Sequence, residues 1–231
     1  MSYFALRTRP VILFIAAALL IAFTSGCARF PANVTPVSGK RLIITMTVAG
    51  EINSNYYYYA AFDTSGTAAP GPLPVVGRPW GNGWGTGNIT DYMLYDQFQP
   101  QGYGLYRIPT GTQLLGKEYN GIPISFITPP NGANKLQFTI SLDQLATSTL
   151  PVENINQINI NFITTDVILL DDNYPGPKYY DGLGELGNEF LTISLTTNQV
   201  YSNSQTLIER AGDVRIPDLD ITDWTIEVQG N

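Results

Sequence analysis

The chain has 231 residues, 44% of them hydrophobic, with 12 Lys and Arg against 19 Asp and Glu for a formal charge of −7. That excess of acid opposes binding to nucleic-acid phosphates and to anionic headgroups and leaves neutral partners or cations. There is no histidine and one cysteine, which excludes Ser-His-Asp and Cys-His catalysis in their usual forms, histidine-held zinc or haem, and an internal disulfide.

Arg7 and Arg9 precede an uninterrupted apolar run, Val11 to Phe23, and Thr24-Ser25-Gly26 then supplies small residues. This is the three-part layout of a secretory signal. Thirteen helical residues reach roughly 20 Å, short of the roughly 30 Å hydrocarbon core that a permanent span must cross. A cleaved signal is therefore favoured over an uncleaved anchor. Cys27 follows directly, and Thr24-Ser25-Gly26-Cys27 resembles the lipobox of bacterial lipoproteins, with Thr24 where that pattern carries an aliphatic residue. The resemblance implies a diacylglyceryl group on the Cys27 thiol, cleavage before it and a fatty acyl chain such as palmitate on the new amine. It also implies a domain held outside the cytoplasm, at the cell membrane or outer membrane. Ala28, where an Asp would signal inner-membrane retention, permits the outer membrane. Two or three acyl chains make a stable anchor, at about 0.8 kcal/mol per buried CH₂. Loss of residues 1–26 removes Arg7 and Arg9 and no acid, which leaves 10 basic residues against 19 acidic and a formal charge of −9.

Residues 27–40 read as a lipidated N terminus and tether, rich in Pro, Ser and Gly and without apolar periodicity. From Arg41 onward the apolar pattern has period two. Leu42, Ile44, Met46 and Val48 alternate with Ile43, Thr45 and Thr47, and Leu136, Phe138, Ile140 and Leu142 alternate with Gln137, Thr139 and Ser141. Ile158, Ile160 and Phe162 alternate with Asn159 and Asn161, and Leu191, Ile193 and Leu195 with Thr192 and Ser194. Tyr56–Phe62, Tyr92–Phe98, Gly104–Ile108, Ile122–Thr128 and Trp224–Val228 are less regular strand candidates, while Asp143–Ala146 suits a single helical turn. Turn-forming Gly, Pro and Asn clusters separate the runs. Residues 41–231 are thus expected to form one all-β domain, an antiparallel two-sheet β-sandwich of immunoglobulin-like or jelly-roll-like kind. Lys135–Leu142 running into Asp143-Gln144-Leu145, then a loop and Ile158–Asp166, is similar to the corresponding order in DOMON-like and carbohydrate-binding sandwiches. That likeness implies an exported ligand-binding sandwich; the haem-ligand histidine of the family has no counterpart here.

Three constellations bear on function. Trp80 and Trp84 stand in a glycine-rich loop, Arg78 to Asn88. An indole face can stack on the C–H face of a sugar, or fold back to plug the sandwich. No G-K-[ST] follows those glycines, so they form no phosphate loop. Tyr56–Tyr59 is a run of four tyrosines, and strand alternation sends Tyr57 and Tyr59 to one face and Tyr56 and Tyr58 to the other. A core edge with a wet aromatic outer face, or a binding platform, would use that split. Asp166, Asp171, Asp172, Asp181, Glu185 and Glu189 place six carboxylates in 24 residues. Such density supplies oxygens of the kind Ca²⁺ takes, though without the EF-hand series, and a solvated acidic loop has the same look. No cofactor is required by the sequence. With 19 acids, a pair spaced for glycoside hydrolysis arises by chance and carries no argument. The expectation is a non-catalytic, membrane-anchored envelope module for a glycan or other neutral ligand; the alternative is an assembly lipoprotein that binds another envelope protein.

Overall fold

The computed structural model describes residues 39–112 and 114–230. The signal, Cys27 and nearly all of the tether lie outside them. The strands run in chain order as β1 (Arg41–Val48), β2 (Tyr57–Asp63), β3 (Leu73–Pro74), β4 (Gly85–Thr86), β5 (Asp91–Tyr95), β6 (Tyr103–Arg107) and β7 (Glu118–Gly121). They continue as β8 (Ser125–Ile127), β9 (Lys135–Ser141), β10 (Gln157–Thr165), β11 (Tyr180–Gly182), β12 (Leu191–Ser194), β13 (Gln199–Ser202) and β14 (Ile221–Gln229), with one helical turn, α1 (Asn203–Thr206), before β14.

Two antiparallel sheets form a sandwich. The first has the order β13-β14-β1-β9-β8; in the second, β10-β2-β5-β6-β7 are neighbours and β11 and β12 share the outer edge of β10. β1 shows why a period-two sequence settles here: Leu42, Ile44, Met46 and Val48 are buried while the residues between them are open or half-buried. Its register sets Ile44 beside Phe138 of β9 and Ile226 of β14, so three apolar rows face the second sheet together. From that sheet Tyr58, Ala60, Phe62, Met93, Leu105, Ile158, Ile160 and Phe162 meet them. Phe162 and Trp224 pack 6.3 Å apart between centroids. Each large side chain so enclosed contributes about 1.5–3 kcal/mol. The all-β sandwich expected from the alternation is what forms.

The second sheet departs from a simple half-wet pattern. β10 is buried from Ile158 through Thr165, polar residues included. Asn161 is fully enclosed and donates to the carbonyls of Pro72 and Glu189, while its own carbonyl accepts the Leu183 N–H. Asn159 donates to Asp63 and accepts from the Thr192 hydroxyl. Buried amides of this kind require partners, and here the partners are the loops that roof the sheet. Beneath that roof a second apolar cluster forms from Tyr59, Ala61, Trp84, Ile89, Tyr92, Leu94 and Ile163.

The chain enters at Arg41 and β1 ends at Val48, beside the start of β14 and of β9. The far end of the sandwich therefore carries the start of β2, the β5–β6 loop and the segment leading into β14; the Gln97 N–H bonds the Ser54 carbonyl there, and the Tyr58 hydroxyl bonds the Asp218 carbonyl.

Candidate functional site

The outer face of the second sheet is built by alternation and register. Tyr57, Tyr59 and Ala61 of β2 point outward, and Ala61, Tyr92, Tyr106 and Tyr119 line up across β2, β5, β6 and β7. The rings form a continuous row. Tyr92 stacks on Tyr106 at 5.2 Å, Tyr106 meets Tyr119 edge-on at 5.5 Å, and the Lys117 ammonium lies 5.3 Å over the Tyr106 ring. The row climbs from cover to water: Tyr92 is buried, Tyr106 half-buried and Tyr119 exposed.

Asp96 follows Tyr95 at the end of β5 and is 3% exposed. Its Oδ1 accepts the backbone N–H groups of Phe98 and Gln99, an Asx-type turn, and its Oδ2 has only the Gln99 Nε2 at 3.3 Å. Gly104 has no side chain, and a Cβ there would collide with Gln99 Oε1. Gln99 can therefore lie across the sheet and accept the Tyr106 hydroxyl at 2.6 Å. Burial, with the charge of Asp96 added to it, raises the hydroxyls of Tyr57, Tyr59, Tyr92 and Tyr106 above the usual phenol range. Four hydroxyls thus sense one carboxylate.

The glycine-rich loop places its two tryptophans differently. Trp84 is 5% exposed and lies flat on Tyr59, 4.0 Å between centroids at 4°. Tyr59 is itself 1% exposed, so neither ring is offered at the surface. The expected wet outer face is covered here because the loop from Val75 to Trp84 folds over it. Trp80 is half-buried, with Lys178 over its ring at 5.4 Å, and Tyr57 is half-buried at the rim.

The acidic segment does not gather into one centre. Asp171 turns back to the Asn173 N–H, Asp172 accepts the Trp80 N–H, Asp166 accepts the Tyr179 N–H, and Glu185 is exposed. Each of the three aspartates is spent on shaping a loop. Asp181 alone joins a cluster, and its companions are Glu209 and Asp213: each offers one oxygen, all within 4.8 Å of one another. Asp220, which accepts the Gly212 N–H, adds its charge beside Asp213. Asp181 and Glu209 are 3% exposed, and backbone N–H groups of Gly182, Ile221, Gly184 and Arg210 point at them. Among the described residues the sole ion pair is Arg107–Asp91, so no basic side chain neutralises the cluster. Burial raises Asp181 to about 7 and Glu209 to about 8, with the neighbouring carboxylates adding to both, and Asp213 rises to about 6. Such a group can share protons or hold a hard cation.

Sequence reading missed Asp96, Gln99, Glu209, Asp213 and Asp220. The turn at Asp96 has a local signal in Asp96-Gln97-Phe98-Gln99; the other three come to Asp181 because the segment before β14 lies against β11 and the turn after it. A scan against protein-family models finds no match to this chain, and a search of curated proteins finds none.

The raised acids give a signed pH dependence. Between roughly pH 4, where such acids ionise in an unfolded chain, and the folded values of about 6 to 8, the folded state holds more protons. Their stabilising contribution is complete below that window and is lost as pH rises through it. Without divalent cations, the melting midpoint is expected to fall between pH 5 and pH 8. Glu209→Gln is expected to flatten that fall; thermal melts at several pH values check both.

Proposed function

We propose that this chain is a lipid-anchored, non-catalytic binding module of the bacterial cell envelope, acylated at Cys27, with a neutral ligand of glycan type on the outer tyrosine face. What supports the ligand reading above all is the row of rings Tyr92, Tyr106 and Tyr119, with Gln99 bridging the Tyr106 hydroxyl to Asp96. Sugars present flat C–H faces and paired hydroxyls, which suit ring faces, phenols, an amide and a carboxylate. The net negative charge disfavours anionic ligands. Along that face Tyr57 and Asp96 lie toward the end of the sandwich away from Arg41, while Tyr92 and Tyr106 lie toward the end where Arg41 pairs with Ser141. A second reading, an assembly protein, draws on the flank where β7 and β8 are sheet edges and Leu115, Tyr119, Ile124 and Ile127 are exposed.

Lipidation is tested by expressing Cys27→Ser with a fatty-acid probe. The expected result is an unlabelled, unprocessed chain; label retained on the variant would remove the anchor from the proposal.

The ligand reading is tested on a glycan panel, with Tyr57→Phe and Asp96→Asn made against any hit. Asn keeps the Oδ1 acceptor of the turn and gives up the second carboxylate oxygen. Loss of one hydrogen bond of about 0.5–1.5 kcal/mol predicts a fall in affinity of roughly 2- to 10-fold for Tyr57→Phe. Saturable binding that ignores both substitutions would place the ligand elsewhere, and a blank panel beside a cross-link from Tyr119 to one envelope protein would favour the assembly reading.

Ca²⁺ has a structural place in the same reading, at Asp181, Glu209 and Asp213. It takes about six to eight oxygens in a flexible geometry, and binding there would tie the segment before β14 to β11. At pH 8, millimolar Ca²⁺ is expected to raise the melting midpoint by a few degrees over chelator, as linkage of about 1–2 kcal/mol would. Glu209→Gln is expected to abolish the rise. An unchanged wild-type midpoint leaves the cluster as a proton-sharing group.

A further inference from the structure

Val75 to Trp84 forms a strap across the outer face, with a fixed stem and a lightly held tip. At the stem, Leu73 and Pro74 pair with Thr86 and Gly85, and Asn161 bonds the Pro72 carbonyl from below; the ladder ends where the Val75 N–H bonds the Trp84 carbonyl at 3.0 Å, the pair that must part for the strap to lift. A Cβ on Gly71 would fall 2.6 Å from the Phe190 ring, so that residue is seated tightly. Three polar contacts hold the tip to the segment Asp172–Lys178: Arg78 Nη2 donates to the Tyr174 carbonyl at 2.7 Å, the Trp80 N–H to Asp172 at 2.8 Å, and Lys178 Nζ to the Val75 carbonyl at 2.7 Å. The first two of these lie at the exposed surface.

We propose that the strap is a gate for the tyrosine face: Trp84 is an internal plug that occupies a ring position on Tyr59, and the strap lifts to yield that position to the ligand. The inference rests on the ligand reading for what the gate serves, while the gate itself is measurable without ligand. Three independent features carry it. Trp84 lies on Tyr59 at 4.0 Å and 4° and also reaches Tyr92 at 4.7 Å, so it covers the inner end of the same row that opens at Tyr106 and Tyr119. Closure also leaves two donors enclosed without partners, Trp80 Nε1 and Asn82 Nδ2. Opening would expose both to water, which offsets part of what the strap loses on lifting, including the Trp84 and Gly85 N–H bonds to Asn82 Oδ1. Finally, the fit of the tip depends on Gly83. Its φ is +85°, and a Cβ there would stand 2.7 Å from the Leu169 backbone N and O and from Ile168 Cγ2. Gly77, in the same strap, would have no atom within 4 Å of a Cβ.

That contrast supplies the test. The full chain, purified in detergent, is compared with Gly83→Ala and Gly77→Ala by hydrogen exchange and by acrylamide quenching of tryptophan fluorescence. In the wild type, amides of residues 75–85 are expected to exchange at least about 100-fold faster than those of β10 and β14, as a local opening requires. Gly83→Ala is expected to speed strap exchange a further tenfold or so while β1, β9 and β14 keep their protection. Quencher should then reach Trp80 and Trp84, with the enclosed Trp224 still shielded. Gly77→Ala should match the wild type. Strap amides as protected as β10, or a Gly83→Ala effect spread evenly over the sandwich, would overturn the gate. So would a glycan hit whose affinity for Gly83→Ala shows no gain although the strap is open. A blank glycan panel beside a strap that opens as described counts against the ligand reading and supports the gate.

Discussion

The side chain of Asn161 has two N–H bonds and a carbonyl, and it gives all three to other segments, binding Pro72, Glu189 and Leu183. Because it is enclosed on the strand that anchors the outer half of the second sheet, those bonds have no competition from water. They hold the β3 stem, the turn after β11 and the approach to β12 against one point. Everything that roofs the sheet depends on that point: the position of the strap, the covering of Tyr59, and the closeness of Gly184 to Glu209. Replacing Asn161 by an apolar residue of the same size would leave three backbone groups unpaired at once.

The roof also explains how one chain with few charges keeps two cores. The inner core is a plain packing of alternating apolar residues from two sheets. The outer one is aromatic and partly polar, and it is sealed by loops rather than by strands. A sheet face covered by strands moves only when the fold melts; one covered by loops can open locally.

Much of the first core was legible in the sequence, because period-two alternation at Leu42–Val48, Leu136–Leu142 and Leu191–Leu195 has a single physical meaning. β10 was legible as a strand, yet its asparagines read as solvent-facing when they are buried; alternation cannot tell water from a loop carbonyl as the partner of an amide. The tyrosine split across β2 followed from strand geometry, but the fate of Tyr59 turned on Trp84, which reaches it from 25 positions away through a loop with no periodicity of its own. The carboxylate cluster was the least legible. Local density pointed at Asp166–Glu189, whereas Asp181 meets Glu209 and Asp213 because the segment before β14, held in place by the pairing of β14 with β1, lies against β11.

That pairing bears on how the molecule reaches its fold. β1 lies between β14 and β9, and the side chains of Arg41 and Gln229 bond at 2.9 Å across 188 positions of sequence. The central strand of the first sheet thus lacks one neighbour until the last strand has been made and delivered. Closing a loop of that length is slow compared with local structure formation, and contacts of such separation come late. A chain that emerges N terminus first across a membrane would stay open along β1 throughout its passage, with Leu42, Ile44 and Met46 uncovered on one side. Whatever the route of synthesis, β1 gains its second neighbour only when β14 is available, so the first sheet is completed late.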